Sequence, residues 1–144
     1  MTLVTTERDA AGIVTMTLNA PETRNAISEL PMIEAILAAL AEAQADPEAR
    51  VIVLTGAGAA FSSGGNIKSM APGQGLVDKV PAITRRNYRA GIQRLPLAFE
   101  DCDLPIVAST EGHPCRMPRP PRPAIRLRGA ARGPLSCRTV RLRA

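Results

Sequence analysis

The chain has 144 residues, 45% of them hydrophobic, enough for one domain with a core. With two Phe, one Tyr and no Trp, that core must be aliphatic. The net charge of +5 is unevenly placed: residues 1–113 carry 9 Lys+Arg against 13 Asp+Glu, or −4, whereas residues 114–144 carry 9 Arg and no acid, or +9. A basic, nucleic-acid-binding body is thereby excluded. No basic segment leads into an apolar run at the start, so no signal peptide is expected. Nor does any apolar stretch approach the ~20 residues of a membrane span. We expect a soluble cytoplasmic protein. Cys102, Cys115 and Cys137 lack the spacing of a zinc site and are expected to be free thiols, with no metal bound.

Residues 2–7 and 12–18 alternate as two half-buried strands joined by a turn at Ala11-Gly12. The loop Asn19–Asn25 then leads to Ser28, a predicted helix N-cap, with Glu29 and Pro31 suited to the first turn. Ile33, Ile36, Leu37 and Leu40 form the apolar stripe of that helix, which ends at Ala45-Asp46-Pro47. Val51–Leu54 is a continuous apolar run that predicts a strand buried on both faces. A small-residue loop follows, then a short helix from Ile67, broken by Pro72-Gly73-Gln74-Gly75. A second helical stretch covers roughly 82–100, with Ile83, Tyr88, Ile92, Leu95 and Phe99 apolar, and Leu104–Ser109 is the next short strand. The order β-β-α-β-loop-α-β implies an α/β domain with crossover connections.

The loop after the third strand carries the chemistry. It reads Leu54-Thr-Gly-Ala-Gly-Ala-Ala-Phe-Ser-Ser-Gly-Gly-Asn-Ile-Lys-Ser-Met70. A glycine-rich loop between a buried strand and a helix offers unpartnered backbone N–H groups to an anion or a polarised oxygen. It is not a P-loop, because Lys68 lacks the glycine of that spacing, and at Phe61 it lacks the third glycine of GxGxxG. Residue patterns alone leave a tight structural turn and a binding site equally open.

Three ordered segments together resemble the crotonase (enoyl-CoA hydratase/isomerase) family: LTGAGAAFSSGGNIKSM, the NAPETRNAIS of residues 19–28, and the DLPIVASTEGH of residues 103–113. The resemblance covers residues 1 to about 113. It implies an incomplete crotonase-type α/β spiral of ββα units, and an acyl-CoA thioester as substrate with no cofactor besides. It further implies that the N–H of Gly65 is one of two oxyanion-hole donors. Ser63, Asn66, Ile67 and Lys68 would line the pantetheine and acyl channel, and Arg24 and Ala26 would contact the CoA moiety. Asn66 stands where the family often has aspartate. An intact relative would be a homotrimer or hexamer. The implied reaction is water addition to a 2-enoyl-CoA through a stabilised enolate, with double-bond isomerisation or another crotonase-fold lyase reaction as the alternative.

The pattern fails after His113. The family's second glycine-rich turn, which supplies the other N–H and a catalytic glutamate, is replaced by Pro114-Cys-Arg-Met-Pro-Arg-Pro. No Asp or Glu follows Glu111, so both catalytic carboxylates of a hydratase are missing. Glu111 precedes the turn and is not assigned the role, and His113 is read as a turn residue. Residues 114–144 hold six prolines and nine arginines without apolar periodicity and are expected to be disordered. We read them as an out-of-frame translation that leaves the chain inactive. Two alternatives stay open: a genuine polyanion-binding arm, sequence-blind for want of aromatics, and a poorly soluble remnant docking on full-length relatives.

Overall fold

The computed structural model describes residues 2–67, 71 and 76–110, and the backbone of 140–142. Strands β1 (Val4–Arg8) and β2 (Ile13–Leu18) pair antiparallel, Val4 opposite Leu18 and Arg8 opposite Val14. Their turn is fixed by Asp9, whose carboxylate accepts the N–H groups of Ala11 and Ile13 at 2.9 Å. Gly12 sits at φ +83°, where a side chain would also overlap the Glu48 carbonyl oxygen. Helix α1 (Leu30–Ala45) carries the chain back, so β3 (Val51–Gly56) runs parallel to β2 in register Ile13 to Val51. β4 (Ile106–Ala108) adds parallel to β3.

Between β3 and β4 lie α2 (Pro81–Ala90) and α3 (Arg94–Glu100). The sequence pattern predicts one helical stretch here. Gly91, at φ −110° and ψ −112°, breaks it, and Leu95 begins a new buried face on α3. Pro96 then falls in the first turn of α3, where a missing N–H costs no helical bond.

The sheet order is β1-β2-β3-β4-β5, with β5 (Val140–Leu142) antiparallel to β4. β5 belongs to the tail, where the sequence offers no periodicity. A three-residue alternation is too short to show as a pattern, and edge pairing needs only main-chain groups.

Alternation in β2 sends Val14, Met16 and Leu18 to one face, together with Ile52 and Ile106, and α1 covers them with Met32, Ile33, Ile36, Ala39, Leu40 and Ala43. Leu37, on the expected stripe, packs at its margin. The opposite face is only partly covered. Val51, Val53 and Thr55 are half-buried, and on the core face Ile52 is fully buried while Leu54 is half-buried, so β3 is interior in topology yet reaches full burial only at Ile52. The expectation of burial on both faces fails because no described layer packs on that side.

Candidate functional site

The glycine-rich loop leaves β3 at Gly56 and is stitched to the segment that precedes α1. Asn25 is the centre of the stitching. It is fully buried and, like Arg24, holds a left-handed backbone, at φ 54°. Asparagine tolerates that region better than most residues. Its side-chain oxygen accepts the Ala20 N–H at 2.9 Å, and its amide nitrogen donates to the carbonyls of Ala57 (3.0 Å) and Ala60 (2.7 Å). Its amide nitrogen thus ties two loops together while its oxygen braces its own segment. Gly56 permits this closeness: a Cβ there would lie 2.6 Å from the Ala60 oxygen and 2.7 Å from the Asn25 amide nitrogen.

The second half of the loop is tied to the same segment residue by residue. Ser63 N–H donates to the Arg24 carbonyl at 2.8 Å, and Ser62 Oγ donates to the Asn25 carbonyl at 2.8 Å. Ser62 Oγ also accepts the Gly64 N–H at 3.0 Å. Ile27 N–H donates to the Gly64 carbonyl at 2.9 Å, and Ser28 Oγ accepts the Asn66 N–H at 2.8 Å. Ser28 therefore does not cap α1. The helix starts one residue later than its pattern suggests, after Glu29 and without a side-chain cap.

These bonds aim Gly65. The Gly64 carbonyl and the Gly65 N–H share one planar trans peptide and point in opposite directions. Because Ile27 holds the carbonyl, the Gly65 N–H faces away from the lead-in to α1. In the next peptide the Asn66 N–H is held by Ser28, which turns the Gly65 carbonyl away from Ser28. Among the described residues, the Gly65 N–H has no hydrogen-bond partner, and the residue is half-buried. Gly64 takes φ +74°, which any side chain would strain.

The candidate residues Arg24, Ala26, Ser63, Gly65, Asn66 and Ile67 thus share one end of the sheet; Lys68 lies outside the described residues. Ala26 is buried, while the Arg24 side chain is exposed and forms no ion pair among the described residues. Ile67 is 83% exposed, an unusual position for so apolar a side chain. Asn66 Nδ2 donates to Glu29 Oε1 at 3.3 Å, where an aspartate would set two carboxylates against each other. Asn25, Ser28 and Ser62 were not singled out as site residues by the motif. An asparagine followed by a small residue just before a helix was the only available signal for Asn25.

Elsewhere, Cys102 is a free, half-buried thiol whose pKa is pushed up by burial, which favours the protonated form. Glu111, His113, Cys115, Cys137 and the whole region of the second turn lie outside the described residues. Among the described residues no helix is long and apolar enough to cross a membrane.

The family model described as enoyl-CoA hydratase/isomerase matches residues 8–115. A probable enoyl-CoA hydratase, EchA14 of Mycobacterium tuberculosis, is 31% identical over 100 residues, covering 69% of this chain and 36% of that protein. Enoyl-CoA hydratase ACTT3 of Alternaria alternata is 34% identical over 104 residues, covering 72% and 32%. Among solved structures, an enoyl-CoA hydratase from Thermoplasma volcanium superposes with a TM-score of 0.64 at 27% identity, covering 78% of this chain and 41% of that one. An enoyl-CoA hydratase/carnithine racemase from Magnetospirillum magneticum gives 0.65 at 28%, covering 78% and 40%. The chain spans only about a third of the length of these curated relatives and about two-fifths of the solved ones. With the family's crotonase fold in its described body and the family model matched over residues 8–115, the chain belongs to the enoyl-CoA hydratase/isomerase family.

Proposed function

We propose that this chain binds an acyl-CoA thioester and polarises its carbonyl through the Gly65 N–H, without completing hydration by itself. The observation that carries the reading is the Gly65 amide: without a partner among the described residues, half-buried, and aimed by bonds on both flanking peptides. A donor fixed before the substrate arrives needs no reorganisation as charge develops on the thioester oxygen, and one such donor supplies about 3 kcal/mol. Arg24, exposed beside the loop, suits the CoA phosphates. The family resemblance adds Ala26 to the CoA contact and gives Ser63, Asn66, Ile67 and Lys68 the pantetheine and acyl channel.

Water addition to a 2-enoyl-CoA puts hydroxide on C3 and a proton on C2, and so needs a general base and a general acid. The sequence has no Asp or Glu beyond Glu111 to serve as the pair found in hydratases. The same lack leaves double-bond isomerisation beside hydration as the alternative family reaction.

Calorimetric titration with crotonyl-CoA and with CoA, beside an absorbance assay of crotonyl-CoA, tests both parts. Tighter binding of the thioester than of CoA, with the conjugated absorbance unchanged, is the expected result. Equal affinity for both would remove Gly65 from the reading. Turnover lost on Glu111→Gln would show that residues beyond 110 supply the missing catalytic groups.

A further inference from the structure

We infer that Ser28 is a positioning residue for the Gly65 donor, acting through Asn66; this rests on the reading of Gly65 just proposed. Ser28 is 9% exposed, sits at the mouth of α1, and is placed where a serine ordinarily caps its own helix. It does not do so. Its Oγ accepts the Asn66 N–H at 2.8 Å from 38 residues away in sequence.

The consequence is geometric. The Gly65 N–H belongs to the peptide held at Ile27, but a single hydrogen bond leaves that peptide free to tilt, and permissive dihedrals at Gly65 would let the peptide after it tilt independently. The peptide before it is held through the Gly64 carbonyl by the Ile27 N–H, a main-chain bond no ordinary substitution removes. The peptide after it is held by a side chain, that of Ser28. Among the described hydrogen bonds on these two peptides, that of Ser28 is the one made by a side chain. Its hydroxyl is an acceptor for the loop, and the loop in turn keeps the Gly65 N–H on the side away from Ile27. Asn66 adds a second, weaker tether through Glu29 at 3.3 Å, which holds the side chain but leaves the peptide plane unset.

The test separates aim from stability. In Ser28→Ala, the ratio of crotonyl-CoA to CoA affinity is expected to fall about tenfold while CoA affinity holds. Ser28→Thr, which keeps the hydroxyl, restores the ratio. In the unliganded protein, amide exchange at Asn66 accelerates at least about tenfold in Ser28→Ala and is near normal in Ser28→Thr. An unchanged affinity ratio would overturn the inference, as would equal losses for thioester and CoA. If the natural chain binds neither compound, the acyl-CoA reading fails instead. The exchange rates still decide the clamp: equal Asn66 exchange with and without the Ser28 hydroxyl would refute it.

Discussion

The layer under α1 and the loop beyond β3 are neighbours held by opposite means. Between α1 and the sheet, Met16, Ile33, Ile36, Leu40 and Ile52 are buried against each other with no polar side chain among them. Around Asn25, almost nothing large and apolar is buried, and the loop stands on directed bonds through Asn25, Ser62, Ser63 and Ser28. Apolar burial is non-directional, so the first region accepts any side chains of suitable volume. Hydrogen bonds are directional and their buried partners cannot be left unmade, so the second region accepts very few substitutions. A donor that must be aimed is therefore built in the second manner, on a platform built in the first.

Substitutions at three sites would sharpen this division, taken in falling order of each site's largest effect. Ile33→Ala opens a cavity under the sheet and is expected to cost about 4 kcal/mol in urea unfolding, whereas Ile33→Leu costs less than about 1.5 kcal/mol. Both are expected to leave the thioester preference of the surviving folded protein unchanged. Asn25→Ala strands the Ala20 N–H and the Ala57 and Ala60 carbonyls, at about 3 kcal/mol, and should abolish that preference as well. A stability loss there with intact preference would mean that the loop keeps its shape by other contacts.

The smallest effect is expected at Glu34. The Arg94 guanidinium hydrogen-bonded to it holds its carboxyl below the usual range. A native pKa below the unfolded one stabilises above the unfolded value, and that gain is lost as pH falls through the native one. Both side chains are exposed, so screening leaves little of it. Glu34→Gln should match the natural chain in urea midpoint at pH 7; a clear drop would show an ion pair stronger than its exposure permits.

Most of the platform was legible in the sequence because it follows periodic rules. Alternation at Val14, Met16 and Leu18 and the stripe at Ile33, Ile36 and Leu40 each announce one buried face. The half-open face of β3 was not legible, since a continuous apolar run reads the same whether or not a second layer covers it. The break at Gly91 was hidden inside a compatible apolar spacing. At the site, the glycine-rich loop was visible as text, but its hold was not. Asn25 reaches carbonyls 32 and 35 residues away, and Ser28 an amide 38 residues away, pairings that no local pattern encodes. Ser28 even misleads, because its type and position are those of an N-cap.

The most direct test of the central claim removes the Gly65 N–H itself. Proline at that position has no N–H but leaves the Gly64 carbonyl free to accept from Ile27. Titration of Gly65→Pro with crotonyl-CoA and CoA should show equal affinities for the two, with CoA binding close to that of the natural chain. A thioester preference that survives Gly65→Pro undiminished would contradict the account, because the carbonyl would then be held by some other donor.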